Sequence, residues 1–170
     1  MESLIFPQEG FVLARLDAID RKILSELQED GRITNVELAK RVGISAPPCL
    51  RRVRALEEAG YIKGYRALLD EKKLDYEVTV FAMVHLSSQA ESDLAEFEAF
   101  VRAQPIVREC WMLSGEIDFI LKCVAPNLAG FQALVGELTA LPNVRNVRTA
   151  LTLDVVKDEA LVPFEVPPAG

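Results

Sequence analysis

In the stretch I-S-A-P-P-C-L-R-R-V-R-A, residues 44–55, two prolines are followed by a cysteine, a leucine and then three arginines within four positions. Guanidinium groups are suited to bind phosphate oxygens and guanine edges. Proline is tolerated in the first turn of a helix, where the backbone N–H groups have no intrahelical partner. The stretch therefore predicts a helix that is capped by Ser45 and begins at Pro47 and Pro48. The two prolines would form an apolar tip able to contact DNA sugar or a thymine methyl group.

The spacing of apolar residues predicts which side of this helix is buried. The expected buried residues are Leu50, Val53 and Leu56. At about 100° per residue, Arg51 then lies on the opposite side, and Arg52 and Arg54 lie on the two shoulders. We expect Arg51 to contact a base edge, and Arg52 and Arg54 to contact backbone phosphates. A solvated arginine-rich face is the alternative interpretation of this helix taken alone.

Two shorter helices are predicted before the arginine-rich one. Asp17 is a good N-cap for the first, and Thr34 with Glu37 matches a capping box for the second, which Gly43 would end. Two helices joined by a short glycine-containing turn form a helix-turn-helix, whose second helix enters the DNA major groove. We therefore add Thr34 and Asn35, at the start of the first helix of the pair, to the expected DNA contacts.

The segment from Tyr61 to Leu69 alternates around a central glycine, which predicts a short hairpin or strand. A strand pair after a helix-turn-helix would be a wing, and Lys63 and Arg66 could then meet DNA phosphate. A plain strand that covers the small core explains these two residues equally well.

Charge is distributed unevenly along the chain, whose net charge is −7 and whose pI is about 4.9. Residues 1–66 carry 11 Lys and Arg against 10 Asp and Glu, whereas the remainder carries 8 against 16. The acidic total argues against a protein that coats nucleic acid non-specifically. A locally basic site on an acidic chain predicts attraction focused on one anionic partner, such as double-stranded DNA.

Other broad classes find little support in the composition. No apolar run approaches the length of a membrane span, so no membrane partner is expected. Cys49, Cys110 and Cys123 are scattered and odd in number, which indicates neither a disulfide framework nor a zinc site and favours the cytoplasm. The only histidine, His85, lies mid-strand without a nucleophile nearby in sequence. We expect no enzyme activity, no cofactor and no metal.

The second half of the sequence alternates between strand and helix patterns. The predicted order is strand, helix, strand, strand, helix, strand, at residues 77–86, 90–103, 106–113, 119–124, 128–141 and 144–157. This βαββαβ order is that of a ferredoxin-like unit. Helices cover only one face of such a sheet, yet Phe81 and Met83 make the first strand apolar on its other face. We therefore expect a second subunit to cover that face.

These patterns together predict an α+β protein, with an N-terminal winged helix-turn-helix and a C-terminal ferredoxin-like βαββαβ domain. The expected divisions are an N-terminal tail (1–16), the DNA-binding domain (17–69), a charged linker (70–76), the βαββαβ domain (77–162) and a C-terminal tail (163–170).

Several motifs resemble the Lrp/AsnC family of transcription regulators over roughly residues 15–162. They are D-x-x-D-x-x-I-L-x-x-L, N-V-E-L-A-K-R-V-G, P-C-L-x-R-V-R-x-L-E, G-Y-I-K-G-Y, E-C-W-M-L-S-G-E-I-D-F-I-L-K and L-P-N-V-R-N-V-R-T. The resemblance implies dimers that assemble further, often to octamers, and an amino-acid effector bound near dimer–dimer contacts. The matching effector positions are Leu113, Ser114, Gly115, Asp118, Thr149, Ala150, Leu151 and Thr152.

The chemistry of these implied positions suits an amino acid. The turn at Gly115 offers N–H groups to a carboxylate, and Asp118 can pair with an ammonium group. The alternative is that Asp118 only caps a strand turn. Because residues 150–152 are a variable part of the family, leucine is not implied as the ligand. Other functions left open are an architectural DNA-wrapping protein, an effector-independent regulator, and a sensor that acts through other proteins.

Overall fold

The structure, a computed structural model, describes residues 16–159 and 162–163 of the chain. The predicted tails lie outside the described residues, except for Leu16 and Pro163. The described residues form two compact units. One contains residues 16–67 together with 158–159 and 162–163, and the other is Leu68–Lys157.

Three helices form the first unit: α1 (Ala18–Glu29), α2 (Asn35–Val42) and α3 (Ala46–Glu58). A capping box begins α1, because the side chains of Asp17 and Asp20 each accept a hydrogen bond from the other's backbone N–H. Gly43 ends α2 in the left-handed conformation, with φ of 79°, as expected for a C-cap glycine. The prediction of a capped helix pair followed by a third helix is confirmed.

The predicted capping box at the start of α2 is only half present. Thr34 accepts a hydrogen bond from the Glu37 backbone N–H at 3.3 Å. The Glu37 side chain does not return a bond to Thr34, and instead pairs with Arg41 Nε at 3.3 Å. An i,i+4 ion pair along the helix therefore replaces the second bond of the box.

The core of the first unit lies between the three helices. Its buried residues are Ile23, Leu24, Leu38, Ala39, Val42, Cys49 and Leu56. Cys49 is fully buried, whereas Leu50 keeps 39% of its surface exposed. The predicted buried side of α3 is therefore displaced by one residue, because Cys49 rather than Leu50 packs against α1 and α2.

The predicted hairpin over Tyr61–Leu69 is not formed, and residues 61–70 contain no strand. The segment is held to the helices by Tyr65, whose hydroxyl donates a 3.0 Å hydrogen bond to Glu57 Oε1 of α3. The Tyr65 ring also approaches the α1–α2 turn, and a Cβ added to Gly31 would lie 3.3 Å from it. The segment with the alternating pattern is therefore held by contacts to the helices and not by pairing with another strand.

The second unit begins with a short 3₁₀ helix (Lys72–Leu74), after which four strands and two α-helices follow in the predicted βαββαβ order. They are β1 (Val78–Leu86), α4 (Glu91–Ala103), β2 (Val107–Met112), β3 (Phe119–Ala125), α5 (Leu128–Ala140) and β4 (Val144–Leu151). The strands form one antiparallel sheet in the order β2-β3-β1-β4. This is the ferredoxin-like arrangement expected from the sequence, although the last strand ends at Leu151 rather than at Lys157.

Both helices pack on one face of this sheet. The buried residues of β1 and β3 alternate along each strand and meet Phe97, Val101, Phe131, Leu134 and Leu138 of the helices. The opposite face, which we call the open face, carries Phe81 and Met83, both half-buried. The registers place Lys122 and Ile120 of β3 beside them. No helix in the described part of the chain is long and apolar enough to cross a membrane.

Candidate nucleic-acid interface and effector site

One side of α3 is exposed and cationic, opposite the side that holds Cys49 and Leu56. A depression of about 440 Å³ runs along this side and is lined by Pro47, Leu50, Arg51, Arg54, Ala55 and Glu58. We call this surface the recognition face. Arg51 and Arg54 are both exposed on it, and they lie about one helical turn apart. The apolar spacing predicts Arg54 at the border between the buried and exposed sides of α3. Because Cys49 is buried, Arg54 lies closer to the centre of the exposed side.

The start of α3 leaves a hydroxyl group uncommitted. Ser45 is the N-cap, as predicted, yet it makes no side-chain capping hydrogen bond. An N-cap serine normally accepts a bond from the N–H at the second or third helical position. Those positions are Pro47 and Pro48, which have no N–H to give. The exposed Ser45 hydroxyl is thus able to donate to an external acceptor such as a phosphate oxygen.

Asn35 joins the first turn of α2 to the first turn of α3. Its Nδ2 donates a 2.8 Å hydrogen bond to the backbone carbonyl oxygen of Ala46. Its Oδ1 is buried and has no partner among the described residues. Thr34, Asn35, Ser45 and Pro47 are therefore brought to one end of the helix pair, close to the recognition face.

Arg52 is placed differently from the prediction that it contacts phosphate. Its Nη1 lies 2.7 Å from Asp17 Oδ2 and 2.7 Å from Asp20 Oδ1, at the N-terminus of α1. These two ion pairs raise the pKa of Arg52. The Asp20 backbone N–H, with further help from Arg52, holds the pKa of Asp17 below its usual value of 3.8. The geometry favours a contact within the unit for Arg52 over a contact with DNA.

Lys63 lies in the extended segment after α3 and is exposed. No ion pair to Lys63 occurs among the described residues. Since the predicted hairpin is absent, its suggested phosphate contact rests on charge and position alone.

The predicted effector loop follows β2. The backbone N–H of Leu113 donates to the Asp118 carbonyl at 2.8 Å, which closes the turn through Ser114 and Gly115. Gly115 adopts φ of 147°, a value that other residues rarely adopt. The turn is exposed, so its backbone N–H groups are open to a ligand.

The Asp118 carboxylate already has partners on both oxygens. Oδ2 accepts a 2.7 Å hydrogen bond from the Leu86 backbone N–H, and Oδ1 accepts a 2.6 Å bond from Gln89 Nε2. These bonds tie the start of β3 to the end of β1. Each carboxylate oxygen has a second lone pair, so a ligand ammonium group has room for a contact only beside these partners.

The two halves of the predicted effector site do not come together within this chain. Asp118 lies beside Val84 and Leu86 of β1, whereas Leu151 pairs with Val80 of the same strand. Along β1, Val80 is four residues from Val84 and six from Leu86, which corresponds to roughly 13–20 Å. Thr149, Ala150, Leu151 and Thr152 also follow the β4 edge of the sheet, while the loop follows the β2 edge.

Sequence reasoning missed Leu50 as part of the exposed face and Gln89 as a partner of Asp118. Centring the α3 face on Cys49 would have revealed Leu50, because cysteine is among the most often buried residue types. Nothing in the local sequence indicates the contact between Gln89 and Asp118, which are 29 residues apart. No group of three or more potential metal ligands occurs among the described residues.

Comparison with known proteins assigns both units. Residues 16–63 match the family of winged helix-turn-helix DNA-binding domains. Residues 79–162 match the Lrp/AsnC ligand-binding domain.

Curated relatives match over most of the chain. A leucine-responsive regulatory protein from Rhizobium meliloti is 62% identical over 152 residues, covering 89% of this chain and 97% of that protein. The leucine-responsive regulatory protein of Escherichia coli K12 is 46% identical over 143 residues, covering 84% and 87% of the two chains.

Solved structures share the fold. An AsnC family transcriptional regulator from Agrobacterium tumefaciens has a TM-score of 0.81 at 36% identity, covering 87% of this chain and 97% of the other. A transcriptional regulator from Neisseria meningitidis, solved in complex with L-Met, has a TM-score of 0.83 at 36% identity, covering 87% and 96%.

Proposed function

The chain belongs to the Lrp/AsnC family of DNA-binding transcriptional regulators, and from this premise we propose that it binds specific double-stranded DNA sites as a dimer-based oligomer and responds to an amino acid. The observation that carries the DNA half is the recognition face, where Arg51 and Arg54 are exposed beside Pro47 on an otherwise acidic chain. We expect it to act in the cytoplasm.

We assign Arg51 to a base edge and Arg54 to phosphate or base. The N-terminal part of a recognition helix lies deepest in the major groove, and Arg51 is closer to that end than Arg54. Thr34, Ser45 and Lys63 are assigned to phosphates. Ser45 has the clearest support, since Pro47 and Pro48 deprive its hydroxyl of an internal donor. Pro47 and the partly exposed Pro48 would pack on sugar or a thymine methyl group.

We infer that the open face of the sheet packs against the same face of a second copy. Phe81 and Met83 lie at its centre, and Trp111 of β2, which is 42% exposed, extends it toward the sheet edge. Sheets that pack face to face exclude water from such residues. A two-fold dimer would present two recognition faces to a roughly palindromic site.

The effector would bind where chains meet. Because the Gly115 loop and the Thr149–Thr152 stretch lie far apart in one chain, a site that uses both needs a second chain. Thr152 Oγ1 is buried and lacks a hydrogen-bond partner among the described residues. Such groups usually acquire a partner, and an amino-acid ligand or a neighbouring subunit would supply one.

This arrangement makes effector binding and assembly thermodynamically linked. An amino acid that bridges two dimers stabilises the larger oligomer, for which an octamer is the expected size. The relative solved with L-Met supports the ligand class. An effector-independent regulator, or an architectural protein that wraps DNA, remains the alternative.

The experiment is a mass-photometry and thermal-unfolding profile of the full-length protein with each of the twenty amino acids. A large oligomer whose mass or melting temperature responds to one or a few amino acids supports the sensor proposal and names the ligand class. An oligomer whose mass and melting temperature respond to none of the twenty contradicts the sensor proposal. It favours the alternative, a regulator that has no effector.

A further inference from the structure

The ion pair of Arg52 and the capping box of α1 form one hydrogen-bonded network. Asp17 Oδ1 accepts from the Asp20 N–H at 2.8 Å, and Asp20 Oδ2 accepts from the Asp17 N–H at 3.2 Å. The remaining oxygen of each carboxylate accepts from Arg52 Nη1 at 2.7 Å. Each carboxylate thus holds the start of α1 with one oxygen and the middle of α3 with the other.

The apolar pattern of α3 alone permits two rotations of this helix. A buried side centred on Leu50, Val53 and Leu56 differs from one centred on Cys49, Val53 and Leu56 by about 35° about the helix axis. The first rotation would bring Arg52 outward and Arg54 to the edge. The structure has the second, with Cys49 fully buried and Leu50 at 39% exposure. Arg52 is only partly exposed, and its charge is neutralised by α1.

We propose that Arg52 is a positioning residue for DNA recognition, which locks the rotation of α3 through Asp17 and Asp20 and thereby directs Arg51 and Arg54 to the DNA. Asp17 and Asp20 then influence base preference although they belong to α1 and need not contact DNA. The inference rests on the proposed use of the recognition face. It replaces the expectation that Arg52 is a phosphate contact.

A phosphate contact and a positioning residue predict different salt dependence. Loss of one phosphate contact makes the negative slope of log affinity against log salt shallower by about 1, and it weakens binding to all sequences alike. Loss of helix positioning leaves the number of phosphate contacts nearly unchanged, but it reduces the difference in affinity between sequences that differ at one base pair. Lower thermal stability alone would accompany a merely structural role.

The test compares full-length Arg52→Gln and Arg54→Gln variants on a duplex that the wild-type protein selects from a randomised library. For Arg52→Gln we expect a loss of roughly tenfold in specific affinity, comparable with one lost base contact, a weaker preference over single-base variants, and an unchanged salt slope. Arg54→Gln is the contrasting variant, because it removes a cation of the recognition face and leaves the network of Arg52, Asp17 and Asp20 intact. A slope reduced by about 1 for Arg52→Gln, or a base preference equal to that of the wild type, overturns the proposal.

A charge-exchange variant keeps the test decisive if Arg52→Gln does not fold. Asp20→Arg combined with Arg52→Glu restores an ion pair between α1 and α3 with reversed polarity, and Asp17→Asn in the same variant removes the carboxylate that would otherwise face the new glutamate at 2.7 Å while keeping an N-cap side chain. Recovery of base preference to within about threefold of the wild type supports positioning, since a difference of that size is under 1 kcal/mol. Recovery of the melting temperature without recovery of base preference overturns it. If the wild-type protein selects no sequence, the proposed function itself fails.

Discussion

Asn35 donates a 2.8 Å hydrogen bond to the backbone carbonyl of Ala46, so that the first turns of α2 and α3 are joined directly. The two N-termini of the helix-turn-helix thereby hold Thr34 and Ser45 at the same end of the pair. This contact and the packing of Cys49 fix the position of the recognition face relative to α2.

Asn35→Ala should lower the free energy of unfolding by about 1 kcal/mol, the typical value of one hydrogen bond. Removal of the unpaired Oδ1 offsets part of the loss. Because Asn35 is engaged with Ala46, the variant should weaken DNA binding without changing its salt slope. Urea denaturation and a salt titration of DNA affinity measure both effects. Unchanged stability with a reduced slope would instead make Asn35 a phosphate contact.

Tyr65→Phe should reduce the loss of folding stability that accompanies a rise in pH from about 10 to about 12. Burial, followed by its hydrogen bond to Glu57, raises the pKa of Tyr65 from 10.0 to about 12. A raised folded-state pKa means that the stabilisation is complete below pH 10 and is lost as the pH rises toward 12. The wild type should therefore lose more stability than Tyr65→Phe over this interval.

Thermal unfolding of the two proteins between pH 9 and pH 12 measures the difference for Tyr65. Tyr76→Phe, in the other unit, is the control for loss of a phenol group. At neutral pH the cost of Tyr65→Phe should be below about 1 kcal/mol, since the side chain is 49% exposed. Parallel pH curves for wild type and Tyr65→Phe would refute the assignment.

Asp118→Asn should weaken effector binding, whereas Gln89→Ala should not. Asp118→Asn removes the negative charge for an ammonium group but retains an oxygen for the Leu86 N–H. Gln89→Ala frees Oδ1 of Asp118 from its 2.6 Å partner. We expect weaker amino-acid binding for the first variant and equal or tighter binding for the second, with DNA binding retained in both. Isothermal titration calorimetry measures the affinities.

Loss of DNA binding and effector binding together in Asp118→Asn would show that Asp118 only secures the β2–β3 turn. In that case the hydrogen bonds to Leu86 and Gln89 are its whole role. Gln89→Ala would then lower stability without any gain in effector affinity.

Met83→Glu should break the proposed dimer. The substitution places a charge at the centre of the open face, where desolvation in a packed interface is costly. Ala95→Glu adds the same charge to an exposed position of α4 and is the matched control. Analytical ultracentrifugation should show a monomer, with roughly half the dimer mass, for Met83→Glu. The Ala95→Glu variant should keep the mass of the wild type. A dimer that persists in Met83→Glu at micromolar concentration would place the interface elsewhere.

The order of helices and strands was predictable because it depends on local periodicity and caps. Thr34, Gly43 and Asn127 mark helix ends through contacts within a few residues. The rotation of α3 was not predictable in the same way, since Leu50 and Cys49 are both apolar. Which of them is buried is decided by packing against α1 and α2.

The remaining differences depend on contacts that are distant in sequence. Arg52 meets Asp17 across 35 residues, and Gln89 meets Asp118 across 29. The alternating segment around Tyr65 has no partner strand among the described residues of its unit, so its pattern does not produce a strand pair there. The motifs were enough to indicate the family, whereas the hydrogen-bond and ion-pair partners of each side chain required the structure.

The most direct test of the central claim is selection of binding sites from a randomised duplex library, with the wild-type protein and with Arg51→Ala at several salt concentrations. The wild type should enrich a roughly two-fold symmetric sequence. Arg51→Ala should lose about 1–3 kcal/mol on that sequence and relax preference at the base pair it contacts in each half-site. Arg21→Ala, on α1, should behave as the wild type. An equal loss on every sequence, or no enrichment by the wild type, would contradict base recognition by Arg51.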